Sequence, residues 1–444
     1  MRKSVSAIFT HRDKLFYMTR QNYLSVFPGY TAFPGGKVDK SDSNKSINNE
    51  LVRTFEPALI HALSRECQEE LNFDLIGALE FGDILDIKMI GIAVTPEFNP
   101  YRFENYYFKI ELDSEIDFNV DDNEAAEAGW ISPDQLLARY DNAEIMAVPP
   151  TVGIIRTLAD DIKYKGELKL TLPHDPETEV PMIESIKGVR QFLPLSNTFP
   201  PANRTNCFLI GDDREGVLVD PSPRDEIEKS KLLKSLRHFI VDEIFITHHH
   251  PDHHEFAVDM ARTLDVPMGM GKWTYERIKK LWGEDYFHDR KIKFYEEGDV
   301  LTTSLGKKVL VYEVPGHDEG QLALAPETMS WFLVGDLIQT VGTVVIGGEE
   351  GDMAKYFTSL QKVIDHNPRF IIPSHGIALG GTNKLSMTLK HRMMREEQIA
   401  KLHAEGKTKQ QMLEIVYEGL DKALQKYAMK TIEAHLKKLG LEIE

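Results

Sequence analysis

The stretch ITHHHPDHH, residues 246–254, decides the fold of the second half of this chain. Its histidine run contains the pattern H-x-H-x-D-H in only one register, formed by His248, His250, Asp252 and His253. The apolar run EIFI precedes it and is typical of a buried strand, so these side chains should lie where a strand opens into a loop. Because α/β folds collect functional groups at such strand ends, the stretch predicts a metal site.

Four more apolar runs in this half end abruptly in an acid or a histidine. They are VLVD at Asp220, VLVYEVPGH at His317, WFLVGD at Asp336 and FIIPSH at His375. Imidazoles and carboxylates without cysteine suit a zinc-type ion that keeps an open position for water. Two such ions can share one hydroxide and polarise a substrate, and they need about seven ligands, which these segments supply. Four other histidines are interpreted as structural: His249, His254, His288 and His391.

The composition of the 444 residues is that of an ordinary globular protein. A net charge of −18 disfavours loose binding to nucleic acid, although one basic patch or the metals could still bind RNA. Two cysteines are too few for a disulfide framework. The chain also lacks a signal-peptide pattern and any run of about 20 apolar residues. We therefore expect a cytoplasmic protein without a membrane partner.

The metal-site pattern, together with the later PGH, GD and PSHG and the preceding VLVDPS, resembles the metallo-β-lactamase superfamily. The run GDLIQTVGTVVIGGEEGDMAKYFTSL and the helical tail are similar to the β-lactamase-like protein 2 group, which has a winged-helix-like tail and includes endoribonucleases. The resemblance covers about Val189 to the C-terminus. Two departures bear on substrate preference. Asp318 and Gln321 replace the usual Thr and His, and His254 and Glu255 replace glycines that often follow the DH pair.

The resemblance implies a role for each candidate ligand. One metal would be held by His248, His250 and His317, and the other by Asp252, His253 and His375. Asp336 would bridge both ions, and Asp220 would orient the histidine loop. Asp252 and Asp220 are thus the expected catalytic residues of this half. Two Zn²⁺ are the expected ions, with iron or manganese as alternatives.

The first half carries a separate acidic motif, RECQEELNF, at residues 65–73. On the predicted helix PALIHALSRECQEEL, Glu66, Glu69 and Glu70 share one face because positions i, i+3 and i+4 are neighbours. Three converging carboxylates repel one another unless a divalent cation such as Mg²⁺ or Mn²⁺ lies between them. Upstream, AFPGGKVDKSD supplies a Gly-Gly turn whose carbonyl could join the metal shell. The competing interpretation is a solvated acidic helix face.

These two runs together resemble a Nudix box, and TRQNYLSVFPGY is similar to the coenzyme A diphosphatase branch of that family. The resemblance covers roughly residues 4–165 and implies Mg²⁺ or Mn²⁺ on the three glutamates, with Glu66 catalytic. Asn72 replaces a glycine, and Asn also enters the left-handed conformation that ends helices. The segment KSDSNKSINNELVRT is an insertion, and the family's intermediate glutamate falls on Pro57, with Glu56 as a neighbouring substitute. A degenerate recognition module is the alternative.

The pattern along the chain divides it into parts. Residues 172–181 are rich in proline and acid and lack periodicity, which indicates a linker. Beyond it, short apolar runs alternate with helical patterns, which predicts a layered α/β domain before a helical tail. The fold class is therefore α/β and α+β. We predict a Nudix α/β/α sandwich at 1–170, a linker at 171–185, a metallo-β-lactamase αβ/βα sandwich at 186–384 and a winged-helix-like helical domain at 385–444.

The two resemblances lead to one main function and one alternative. The main hypothesis is metal-dependent hydrolysis of a phosphodiester or thioester in the second half, and of a nucleoside diphosphate derivative in the first. A coenzyme A compound would unite both halves, because it offers a diphosphate and a thioester. The alternative is an endoribonuclease whose Nudix half serves recognition or dimerisation. The expected partners are a small diphosphate or thioester, RNA under the alternative, and a second copy in a homodimer.

Overall fold

A computed structural model describes residues 1–42, 45–99 and 102–441. Two residues of the predicted insertion, Ser43 and Asn44, and the last three residues of the predicted tail domain lie outside these ranges. The chain divides into two compact units, one of residues 1–174 with 183–187, and one of 175–182 with 188–444. The division falls within a strand, β9 (Met182–Ile186), whose first residues belong to the segment predicted as linker.

The first unit is a mixed sheet with helices on both faces. Its elements in chain order are β1 (Arg2–His11), β2 (Lys14–Arg20), β3 (Tyr30–Ala32), α1 (Pro57–Leu71), α2 (Leu75–Phe81), β4 (Ile84–Val94), β5 (Phe103–Leu112), β6 (Ala125–Ile131), α3 (Pro133–Asp141), β7 (Met146–Ala147), α4 (Pro149–Asp160) and β8 (Leu168–Lys169). The strand order is β7-β3-β2-β1-β5-β4-β8, with β6 also paired to β2. In β1, Ala7 and Phe9 enter the core under α1 and α2, and Ile8 enters the core under α3 and α4. This alternation is what a strand covered on both faces requires.

Helix α1 has the bounds that its sequence predicts. Pro57 occupies its first turn, where a missing N–H costs nothing. Asn72 ends the helix in the left-handed conformation, with a φ of 52°. The replacement of the family's glycine by Asn therefore keeps the helix stop in place.

The second unit contains two sheets packed between helices. Its elements before the tail are β10 (Val189–Phe192), β11 (Cys207–Ile210), β12 (Glu215–Val219), α5 (Glu226–Leu236), β13 (Ile240–Ile246), α6 (Pro251–His254), α7 (Ala257–Leu264), β14 (Met268–Met270), α8 (Lys272–Trp282), β15 (Ile292–Phe294), β16 (Val300–Ser304), β17 (Lys307–Glu313), β18 (Leu322–Pro326), β19 (Trp331–Gly335), α9 (Met353–His366), β20 (Phe370–Pro373) and β21 (Leu379–Gly380). One sheet runs β15-β14-β13-β12-β11-β10 and the other β16-β17-β18-β19-β20-β21. Helices α5, α7 and α8 cover the first sheet, and α9 covers the second.

The tail of the second unit is helical, as predicted. It consists of α10 (Asn383–Ala404), α11 (Lys409–Val416) and α12 (Lys422–Leu439), which enclose a core containing Ile399, Met412 and Ile432. Helix α11 begins with a capping box in which Thr408 and Gln411 satisfy each other's backbone N–H groups. Within the described residues, no helix is both long and apolar enough to cross a membrane.

Candidate metal centre

Strand ends of the second unit bring the predicted ligands together. Asp220 directly follows β12, and His248 lies two residues after its parallel neighbour β13. Asp336 directly follows β19, and His375 lies two residues after the parallel neighbour β20. Because parallel strands end at the same edge of a sheet, each sheet brings its candidate site residues together at one edge. His317 joins them from the loop that follows β17.

Three of these histidines form a first ligand group. Nδ1 of His250 lies 3.0 Å from Nε2 of His248 and 3.0 Å from Nε2 of His317. The other ring nitrogen of His317 lies 2.9 Å from the Val345 carbonyl, which can only accept, so Nδ1 donates. Nε2 of His317 therefore carries the lone pair that a metal would use.

A second ligand group contains Asp252, His253 and His375, whose candidate ligand atoms all lie within 4.8 Å of one another. Oδ2 of Asp252 lies 3.5 Å from Nε2 of His375 and 3.8 Å from Nε2 of His253. Nδ1 of His375 donates to the Arg204 carbonyl at 3.0 Å, which leaves its Nε2 as the ligand atom.

The Asp336 carboxylate lies between the two groups. Its Oδ2 is 3.6 Å from Nε2 of His317 in the first group and 3.7 Å from Nε2 of His253 in the second. Its Oδ1 is 3.3 Å from Nε2 of His375. Nε2 of Gln339 donates to Oδ2 at 3.3 Å, a contact that the sequence did not suggest. Asp336 is thus close to histidines of both ligand groups.

The electrostatics of the cluster suit a bound divalent cation. Nε2 of His253 and Oδ1 of Asp336 are buried and have no hydrogen-bond partner among the described residues. Burial and the neighbouring His317 lower the pKa of His250 to about 3, so this ring is neutral, as a ligand must be. Burial alone would raise the pKa of Asp336, but His375 and His253 lower it well below its usual value. A buried imidazole nitrogen without a hydrogen bond and an ionised carboxylate together fit a divalent metal, because such groups are costly to bury without one.

Asp220 contacts the histidine loop through both of its carboxylate oxygens. Its Oδ1 accepts the Thr247 N–H at 2.8 Å, and its Oδ2 accepts the Thr247 hydroxyl at 2.6 Å. Oδ2 also lies 2.8 Å from Nδ1 of His253. Asp220 therefore contacts the histidine loop at Thr247 and at the candidate ligand His253.

His249 has a buried carboxylate partner that the sequence did not suggest. Its Nδ1 contacts Oδ2 of Asp318, and both side chains are buried. Candidate ligand atoms of these two residues and of His250 lie within 4.8 Å of one another. The departure from the usual Thr at Asp318 was the available signal. His254 keeps a structural role, since its Nε2 pairs with the His249 carbonyl at 3.0 Å.

The three glutamates of the first unit do not form one cluster. Glu70 is buried, and its Oε2 accepts the Gly35 N–H at 2.8 Å, whereas the Glu69 side chain is 59% exposed. Nη1 of Arg65 lies between two carboxylates, 2.8 Å from Oε1 of Glu66 and 3.1 Å from Oε2 of Glu69. Groups of three close metal-binding side chains among the described residues all lie in the second unit. The predicted convergence of these carboxylates is therefore not reached.

The Gly-Gly turn still meets the acidic helix. A Cβ on Gly36 would lie 2.3 Å from Oε1 of Glu66, so a larger residue at this position would displace the end of the Glu66 side chain. The Gly36 carbonyl accepts the Val5 N–H at 2.9 Å. Burial raises the pKa of Glu70 to about 8, partly offset by the Gly35 N–H and increased by Glu66. Glu56, the suggested substitute for the intermediate glutamate, pairs with Lys3.

Comparison with known proteins supports the family resemblance of each half of the chain. The family model of the metallo-beta-lactamase superfamily matches residues 200–375, and that of the NUDIX domain matches residues 1–148. The Beta-lactamase-like protein 2 homolog of Caenorhabditis elegans is 28% identical over 243 residues, 53% of this chain and 78% of that protein. An atrochrysone carboxyl ACP thioesterase of Pseudocercospora fijiensis is 23% identical over 202 residues, 44% of this chain and 54% of that protein.

A solved structure shows the same fold in the second half. The beta-lactamase domain protein from Burkholderia ambifaria is 21% identical and has a TM-score of 0.51, covering 60% of this chain and 89% of its own. These matches confirm both family resemblances and the predicted fold class.

Proposed function

We propose what each of the two domains of this hydrolytic enzyme cleaves. Residues 1–148 form a NUDIX domain, and residues 200–375 form a domain of the metallo-beta-lactamase superfamily. The second domain hydrolyses a thioester or phosphodiester at a dinuclear zinc centre, with iron or manganese as alternative ions. The first hydrolyses a nucleoside diphosphate derivative with Mg²⁺ or Mn²⁺. A coenzyme A compound offers both bonds.

One observation carries the proposal for the second domain: two ligand groups meet at the Asp336 carboxylate. The residues that would hold one ion are His248, His250 and His317, and those that would hold the other are Asp252, His253 and His375. Bound ions of this kind supply a hydroxide at neutral pH and polarise the scissile carbonyl or phosphoryl group.

The side chains around the ligands divide the remaining work. Asp252 has an 18% exposed side chain, against 7% for Asp336, so Asp252 is the carboxylate that substrate and water reach more easily. The Thr205 hydroxyl lies 3.4 Å from its Oδ2 and orients it. We assign Asp252 as the group that accepts a proton during hydrolysis. Asp220 holds His253 in the tautomer whose Nε2 faces the metals.

The thioester is favoured over other bonds by one relative, which is named a thioesterase. The test is a panel of acyl-coenzyme A thioesters, nucleoside diphosphate derivatives and single-stranded RNA offered to the zinc-loaded chain. We expect thioester cleavage that Asp336→Ala abolishes. The matched control is Asp212→Asn, because Asp212 accepts two hydrogen bonds from the exposed hairpin at Thr303 and Gly306. No cleavage of any member by the zinc-loaded wild-type chain would contradict the proposal.

A second candidate is an endoribonuclease whose NUDIX half serves recognition or dimerisation. The observation that favours it is the guanidinium of Arg65, which pairs with Glu66 and Glu69 where a cation would bind. RNA cleavage that depends on Asp336, with no diphosphate hydrolysis under saturating Mg²⁺ or Mn²⁺, would favour this candidate.

A further inference from the structure

A buried contact between a histidine and a carboxylate lies beside the first ligand group. Nδ1 of His249 contacts Oδ2 of Asp318, and the two side chains are 3% and 2% exposed. A buried pair of this kind has to be matched closely, because separating it leaves a polar group without water or a partner.

The pair joins the two loops that supply the first ligand group. His249 is the residue between the ligands His248 and His250, and Asp318 directly follows the ligand His317. The contact therefore fixes one loop against the other at positions adjacent in sequence to all three ligands. Oδ1 of Asp318 accepts the Gly320 N–H at 2.7 Å, which fixes the carboxylate within its own loop.

The imidazole of His249 is held on its second side as well. Its Nε2 lies 3.5 Å from Oε1 of Glu350, and that oxygen lies 3.9 Å from Nη1 of Arg277 on α8. With carboxylates facing both nitrogens, the ring cannot rotate away from Asp318 without losing a partner. The orientation of His249 is thus fixed independently of the metal ligands.

We propose that His249 and Asp318 are positioning residues that set the spacing of the first ligand group. This inference rests on the proposed metal centre and goes beyond its ligands. Side chains that support ligands change metal affinity by about 10–100-fold when removed. Because the pair lies directly beside the ligands of the first group, its loss weakens one of the two metal sites and spares the other.

The test follows the two sites separately. Zinc-loaded full-length chains are titrated with a chromophoric chelator, and the cobalt-loaded chains are compared by their visible absorption. We expect Asp318→Asn and His249→Gln each to weaken one equivalent about 10–100-fold and to change the cobalt spectrum. The double variant should lose no more than either single variant, because both remove the same contact. If Asp318→Asn does not fold, Asp318→Thr gives the same test, since Thr has no carboxylate to contact His249.

The matched control is Asp212→Asn. Asp212 accepts hydrogen bonds from Thr303 and Gly306, which belong to neither ligand loop, so both zinc affinities should stay near those of the wild type. Equal weakening of both sites by the Asp318 and His249 variants, or no weakening, would overturn the positioning role alone. A wild-type chain that binds no zinc would overturn the proposed function and this role together.

Discussion

Oδ2 of Asp220 lies 2.8 Å from Nδ1 of His253, and both side chains are buried. Burial alone would lower the pKa of His253, but Asp252, Asp220 and Asp336 raise it well above its usual value. Three carboxylates thus surround one imidazole. Asp220 is the one of these three carboxylates that is not a candidate metal ligand.

Asp220→Asn should therefore weaken the centre without unfolding it. Asparagine keeps the size of the side chain and tolerates the left-handed φ of 49° at this position. It removes the charge that orients His253, so we expect metal affinity to fall about 10–100-fold. The free energy of unfolding should fall by about 1–3 kcal/mol. Chelator competition and urea unfolding measure the two effects, and an affinity equal to that of Asp212→Asn would contradict the orienting role.

The two domains should be separable in activity. Glu69→Gln with Glu70→Gln removes carboxylate charge from α1 and keeps the shape of the helix. We expect this pair to abolish any Mg²⁺-dependent diphosphate hydrolysis and to leave the zinc-dependent activity close to that of the wild type. His250→Ala should have the opposite effect. Assays of both activities on the same preparations check this, and loss of both activities in either variant would contradict independent sites.

Stability of the helical tail should depend on the protonation of His435. Burial lowers the pKa of this residue to about 4 from an ordinary value of 6.5, although Glu396 opposes the shift and Arg392 and Lys438 reinforce it. The native state binds fewer protons than the unfolded state between pH 4 and 6.5. The contribution of His435 to the free energy of unfolding is therefore complete above pH 6.5 and is lost as the pH falls towards 4.

Replacing His435 should flatten that dependence. We expect the wild-type chain to lose on the order of 1–3 kcal/mol more than His435→Gln when the pH falls from about 7 to about 4.5. Urea unfolding at both pH values, monitored by the circular dichroism signal of the helices, measures the difference. The control is His288→Gln, which changes an exposed histidine of the same unit. Parallel pH profiles of wild type and His435→Gln would contradict the assignment.

The elements that sequence predicted well are those whose signal is local. The bounds of α1 follow from Pro57 and Asn72. The ligand positions follow from apolar runs that end in an acid or a histidine, as at Asp336 and His375. Such signals depend on neighbours in the chain, so they survive folding unchanged.

The features that sequence did not reveal depend on contacts between distant segments. Helical spacing shows that Glu66, Glu69 and Glu70 share a face, but not that folding buries Glu70 and leaves Glu69 in solvent. Likewise, His249 gains its role only through Asp318, which lies on another loop. Spacing along one helix or loop cannot predict which side chain a remote segment will meet.

The most direct test of the account is the metal content of the second half. The tag-free full-length chain is loaded with zinc, freed of excess ion and analysed by elemental mass spectrometry beside Asp336→Ala. Two ligand groups that share the Asp336 carboxylate predict close to two equivalents in the wild-type chain, and fewer in the variant. A wild-type chain that retains no zinc after loading would contradict the account.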